Sequence, residues 1–228
     1  MHNHRAARYQ LLHKAAGVAI ATPTALSYVG VSLSDNGFGS TKDVNVPAGI
    51  ADGDMMLLAI VQAAAATVTL PSGWVEVDNQ DGGGTDGITV AKRIASSEPA
   101  SYTVTYSVSL NTAAAIVAFR SAGGESIVVD ASAKTDSTVS GASHNAPSVT
   151  TNDVNAMLVC CTAWSGTEPA GLTADASMTE RTESASAGCM LHIMTGNQAS
   201  AGATGTKSVS GVNSRTAKLI SVALIEDV

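Results

Sequence analysis

From Leu26 onward, short apolar or β-branched stretches alternate with clusters of Gly, Pro, Asn and Asp. That punctuation marks antiparallel sandwiches and barrels, because each cluster supplies the backbone angles of a turn between strands. It predicts strands at 25–33, 55–63, 74–78, 88–94, 101–107 and 112–120 in the first half of the chain. In the second half it predicts 126–133, 156–163, 178–182, 189–195, 206–210 and 217–226. No long helix is predicted after residue 25. The closing run AKLISVALIEDV alternates weakly and then turns apolar, as a strand buried on both faces would.

The two sets of strands follow one order at an offset of about 101 to 105 residues, the kind of self-similarity that bears on fold before anything else. DMMLLAIV (54–61) answers NAMLVCCT (155–162), and GWVEV (73–77) answers SMTER (177–181). ITVAKRI (88–94) answers MLHIMTG (190–196), and AAIVAF (114–119) answers LISVAL (219–224). Identity is low, so the match rests on pattern and order, with chance alignment of short strands as the alternative. With about five strands each, the halves are too small to bury both faces alone and should share one core. The expectation is an all-β, antiparallel, jelly-roll-like sandwich spanning 26–228, built from pseudo-repeats at about 26–122 and 123–228. Two separate immunoglobulin-sized sandwiches are the second choice.

Residues 1–25 stand apart. Over 3–20 a helix would place Leu12, Ala15, Ala16 and Ala19 on one side and leave Arg5, Arg8 and Lys14 for solvent or a partner. Pro23 ends any such helix. A secretory signal is a poor match, because His13 and Lys14 split the apolar stretch. A disordered tail is the bland alternative. The favoured reading is an anchoring arm that docks on another subunit through Arg5, Arg8, Tyr9, Leu12 and Lys14.

Composition changes this picture in three ways. The chain is 45% hydrophobic but only 4% aromatic, which suits thin, closely layered sheets. Only 14% of residues are charged, against about 25% in an average soluble domain. Low charge with positive mean hydropathy points to surface covered by other subunits, and a homo-oligomer is expected. The net charge of −7 is uneven: three basic residues precede the first acidic one, Asp35, and the remaining 9 basic and 19 acidic residues leave the body at −10. Nucleic acid is therefore not an expected partner. Nor is a membrane, since the longest apolar run, at 55–68, is too short to cross one as a helix.

Candidate chemistry is sparse. GGGTDG formally matches a dinucleotide-loop spacing, but it leads into a strand and not a helix, so a hairpin loop is the better reading. Asp78, Asp81 and Asp86 around that loop offer oxygen ligands of the kind calcium takes, without EF-hand spacing. No metal site and no cofactor are assigned. Cys160, Cys161 and Cys189 show no zinc spacing and read as buried free thiols, with a bridge from Cys160 or Cys161 to Cys189 left open. His144, in the Gly/Ser segment TVSGASHNAP, is read as a loop residue. His192 is read as solvent-facing or satisfied. Asp52 and Asp54 fit turn chemistry. Trp74 and Trp164 are either core plugs or platforms for sugar rings.

The segments VPAGIADGDMMLLAIV, LPSGWVEV, ITVAKRIASSEPASYTVTYS and AAAIVAF resemble a β-sandwich pattern of tailed-phage virion proteins and some bacterial surface proteins. In that pattern a GD turn opens an apolar strand, a P-x-GW turn opens the next, and a YTVT-type strand precedes an apolar return. The likeness covers about 44–120, with a fainter echo over 146–226. It implies a structural protein of a tailed bacteriophage, of head-decoration, fibre or tail-surface type. Such a protein would be made in the host bacterial cytoplasm, reside in the virion and contact other virion proteins.

Three functions are therefore weighed. The first is a non-enzymatic virion component. The second is a glycan-binding module for host attachment, using Trp74 and Trp164. The third, least favoured, is a polysaccharide hydrolase, which would need paired carboxylates roughly 5–10 Å apart. Glu76, Asp78, Glu180 and Glu183 occupy matching places in the two halves, but nothing in the sequence brings them together.

Overall fold

The structure, a computed structural model, describes residues 22–35, 37–80, 86–184 and 188–228. The predicted helix over 3–20 and the arm residues Arg5, Arg8, Tyr9, Leu12 and Lys14 lie outside the described residues, as does Asp81. The strands are β1 (Ser27–Ser34), β2 (Phe38–Asn45), β3 (Met55–Gln62), β4 (Val68–Thr69), β5 (Val75–Gln80), β6 (Gly87–Ile94) and β7 (Ser101–Arg120). They continue as β8 (Ile127–Ala146), β9 (Thr150–Thr151), β10 (Ala156–Ser165), β11 (Thr173–Ala174), β12 (Thr179–Glu183), β13 (Cys189–Gln198), β14 (Gly202–Ala203) and β15 (Lys207–Glu226). Among the described residues no helix is long and apolar enough to cross a membrane.

Two antiparallel sheets face each other, the sandwich that the strand pattern predicts. One has the order β1-β7-β3-β6-β5 and the other β8-β15-β10-β13-β12, so each sheet is drawn from one half of the chain and both carry the same order. The edges meet reciprocally. Lys134 on β8 donates to the Asn79 carbonyl on β5 at 2.6 Å, and at the other edge Arg181 on β12 lies 4.0 Å over the Tyr28 ring on β1. Such reciprocity is that of an isologous two-fold interface, here inside one chain.

The segments 101–107 and 112–120, expected as two strands, form the single 20-residue β7, and 206–210 and 217–226 likewise form β15. Segment 126–133 extends through TVSGASHNAP to make the 20-residue β8, so His144 stands on a strand and not in a loop. Strand β2 was absent from the expectation altogether. A straight 20-residue strand would run about 65 Å, more than twice the length of its 8-residue neighbour β3. These long strands therefore bend over the sheet they leave. The first halves of β7 and β15 and the second half of β8 form outer layers: β2 and β4 pair with β7 between Ser101 and Asn111, while Thr112 to Phe119 pair with β3, and Ser143 to Ala146 of β8 pair with Lys207 to Ser210 of β15.

The bending divides the core into three. Between the sheets, Leu57, Ala59, Val117 and Phe119 meet Val159, Cys161, Leu191 and Val222. Outside the first sheet, Met56, Leu58, Ile60 and Ile116 pack under Val44, Tyr102, Val104 and Tyr106. Outside the second, Leu158, Cys160, Trp164 and Met194 pack under Ala146, Val149, Leu172 and Val209. The halves share the core between the sheets, as expected; what the sequence reading did not foresee is that each half also covers its own outer face with the strands it folds back.

Pairing partners also correct the alignment of the halves. Ile60 pairs with Thr89, and Thr162 pairs with His192. Ile60 thus corresponds to Thr162 and Thr89 to His192, one residue away from the match made on sequence for these two strands. A one-residue slip exchanges the faces of a strand. Since β3 and β10 are apolar on both faces, the hydrophobic pattern carried no information about which face was which.

The PSGW turn ends with the Trp74 amide donating to the Pro71 carbonyl at 3.2 Å and with Gly73 at φ +83°, the left-handed geometry a type II turn requires at its third position. In the GD turn, Asp54 is buried and accepts both Arg120 Nε and Nη2 at 2.7 Å and the Ala51 amide at 2.8 Å.

Candidate functional site

The bends of β7 and β15 lie at one end of the sandwich. A Cβ on Gly188 would sit 3.6 Å from Asn111 in the first bend, and the Gly188 carbonyl accepts the Gly166 amide at 2.8 Å. A Cβ on Gly166 would in turn sit 3.1 Å from Arg215 in the second bend. This crossover end carries exposed large apolar side chains: Phe38 (74% exposed), Val108 (50%), Val139 (79%) and Val212 (66%). At the opposite end the chain enters the fold. There Glu226 accepts the Thr24 amide at 2.6 Å, the Thr24 hydroxyl at 2.5 Å and the Ser121 hydroxyl at 2.7 Å, and Asn155 donates to the Pro23 carbonyl.

A cluster of titratable groups sits on the outer face of the second sheet, where three strands bring it together. His192 in β13 stands opposite Glu183 on β12 and opposite Thr162 on β10. Glu180 stands opposite Met194, two residues from His192 and hence on the same face. In a regular strand Glu180 and Glu183 would point to opposite faces. A β-bulge at Arg181 adds the residue that turns both carboxylates to one side. The His192 ring and both carboxylates come within 4.8 Å of one another, with His192 Nε2 at 3.6 Å from Glu180 Oε2.

His192 is fully buried, and neither ring nitrogen has a hydrogen-bond partner, nor does the buried Thr162 hydroxyl opposite it. The sequence reading of His192 as solvent-facing or satisfied is therefore corrected. It lies on the outer face of β13, opposite Glu183, whose Oε2 accepts the Leu172 amide. Burial holds its pKa down to about 4, so the imidazole is neutral near pH 7. Burial raises the pKa of Glu183, and the nearby Glu180 and Glu168 carboxylates add to this against the Leu172 amide, which donates to Glu183 at 2.6 Å. Among the described residues, no lysine or arginine pairs with Glu180 or Glu183.

The equivalent place in the first half is an open groove of about 530 Å³ whose lining includes Gln62, Glu76, Asn79, Thr89 and Ser107. By strand register Glu76 corresponds to Glu180, Asn79 to Glu183 and Thr89 to His192. In the second half Trp164 takes the place of Gln62 and fills the space, and its Nε1 donates to Glu168 at 3.1 Å.

The other sequence candidates fall as follows. Trp164 is fully buried and Trp74 is 7% exposed, so neither ring offers a free face for a sugar, and both stand as core plugs. Asp78 is bound to Lys134 at 3.0 Å and accepts the Ser132 hydroxyl, while Asp86 is buried with one unpartnered oxygen. Glu76 and Asp78 are not joined to Glu180 and Glu183, which lie in the other half. Cys160, Cys161 and Cys189 are free and buried, and burial raises all three thiol pKa values, that of Cys160 to about 12. His144 is satisfied by the Ser137 hydroxyl at 2.6 Å and the Arg215 carbonyl at 2.7 Å.

Glu180 and Glu183 were visible in sequence as an acidic pair. Their union with His192 was not, because it depends on a bulge that no residue type in TERTE announces. No protein-family model, curated protein or solved structure significantly matches this chain.

Proposed function

We propose that this chain is a non-enzymatic structural component of a tailed-bacteriophage virion, a head-decoration, fibre or tail-surface protein that packs against neighbouring subunits. The observation that carries this reading is the crossover end. Four of the exposed large apolar side chains, Phe38, Val108, Val139 and Val212, are each half or more exposed there, while Val75, Ile94 and Val228 are exposed elsewhere. Exposed apolar groups gathered in one region are characteristic of protein–protein contacts. The described chain joins the fold at the opposite end, at Pro23 and Thr24, and on this reading Arg5, Arg8, Tyr9, Leu12 and Lys14 anchor a different neighbour. Light scattering on the full chain after size exclusion tests this. The expected mass is a multiple of 22.8 kDa, and V139D/V212D should shift it toward one chain without lowering the melting temperature. A monodisperse monomer whose elution the double variant leaves unchanged would defeat the reading.

A second reading, glycan attachment, is favoured by the polar groove in the first half and no longer by the tryptophans. Glu76, Asn79, Gln62 and Ser107 supply the donors and acceptors that sugar hydroxyls need. Binding on a glycan array should then be abolished by E76A/N79A and survive Trp74→Phe. A blank array for the folded wild-type chain removes this reading.

A further inference from the structure

We propose that Glu180, Glu183 and His192 form a binding site for a divalent transition metal of the zinc type, with a ligand set that the equivalent positions of the first half do not repeat. One imidazole nitrogen with two carboxylates is a ligand set zinc accepts, with water able to take a remaining position. Metal bonds of about 2.1 Å in a tetrahedron put neighbouring ligand atoms about 3.4 Å apart. The 3.6 Å between His192 Nε2 and Glu180 Oε2 is already close to that edge. The Glu180 side chain is 44% exposed and has room to adjust.

The independent observation is His192 itself. A buried imidazole with both nitrogens unpartnered is rare, because an unpaired polar group out of water is costly. A metal on one nitrogen removes that cost. Thr162 stands opposite in register with an unpartnered hydroxyl, an oxygen of the kind a ligating histidine finds for its other N–H. A cation would relieve the mutual repulsion of Glu180 and Glu183, neither of which forms an ion pair with a lysine or arginine among the described residues. Gly171, at φ +77°, lets the covering loop approach, since a Cβ there would lie 3.2 Å from Glu183 Oε1. The first half provides the contrast. With Asn79 and Thr89 at the equivalent places, it keeps only one of the three ligands, Glu76.

The site ties edge strand β12 to β13, so a bound ion would act as a staple on that edge. The test is calorimetric titration of Zn²⁺, with Mg²⁺ as comparator, into the full chain freed of metal with a chelator and dialysed, alongside thermal melts. One Zn²⁺ per chain is expected, with a raised melting temperature and no response to Mg²⁺. E180Q and E183Q should each weaken binding about tenfold or more, and His192→Leu should abolish it, while E76Q leaves it unchanged. Should the His192 variant fail to fold, the two glutamine variants still decide the matter. Absence of zinc binding overturns the proposal. So does binding that E180Q and E183Q leave intact, the outcome expected if His2, His4 and His13 of the arm held the ion instead.

Discussion

Trp164→Ala is expected to lower the unfolding free energy by about 3–5 kcal/mol, the cost typical of removing a fully buried indole from a packed core. For a chain of this length that corresponds to a fall in melting temperature of roughly 10 °C. Three contacts are lost together. The ring stands edge-to-face with His144 at 5.0 Å, its Nε1 donates to Glu168, and it fills the volume that remains an open groove in the first half. Glu168 also accepts the Val212 and Asn213 amides at 3.0 and 3.1 Å. Losing the indole should therefore loosen the bend that carries exposed Val212, and with it the proposed contact end. A comparison sharpens the assignment. Trp74 Nε1 has no partner, so Trp74→Phe should cost about 1 kcal/mol less than Trp164→Phe, the worth of one hydrogen bond. Urea denaturation measures both, and equal losses would contradict the role given to the Trp164–Glu168 bond.

Glu226→Ala is expected to cost about 2–3 kcal/mol, because a buried carboxylate that accepts charge-assisted hydrogen bonds would be replaced by a methyl group and its donors stranded. Those donors are the Ser121 hydroxyl, the Thr24 hydroxyl and the Thr24 and Gly123 amides. Burial alone would raise the Glu226 pKa, but these bonds outweigh it and hold the value down to about 2, against an ordinary 4.5. The folded-state pKa is thus the lower one. The stability it contributes is fully present above about pH 4.5 and is lost as pH falls toward 2. Thermal melts of wild type and E226Q should accordingly differ most above pH 4.5 and converge between 4.5 and 2. A difference that persists unchanged at pH 2 would show that Glu226 acts through packing alone. Since Glu226 grips Thr24, the same variants would release the chain where the arm enters the fold.

How much of this was legible beforehand can be followed residue by residue. Met55–Gln62 and the second half of β15 read as buried strands because their apolar runs are bounded by turn residues, which is a local property. The closing strand reads as buried on both faces for the same reason, and Ala217 to Ile225 are all buried. The polar outer halves of the long strands, the first halves of β7 and β15 and the second half of β8, read as loops or separate short strands. Their alternation is broken where they bend, at Ser107–Ser109 and again between Ser210 and Arg215. Strand β2 was missed because FGSTKDVN becomes a strand only by pairing with β7.

By itself, then, the sequence determined the class of fold, the order of the main strands, the apolar runs and the turns that end them, since these depend on residue type and short-range periodicity. Tertiary structure alone decided the register of strands apolar on both faces, the folding-back of the 20-residue strands, and the bulge at Arg181. It thereby also decided that Glu180, Glu183 and His192 meet. The physical reason is common to all of these. Each rests on hydrogen bonds and contacts between segments tens of residues apart, and two faces of equal hydrophobicity leave no local mark of which one points where.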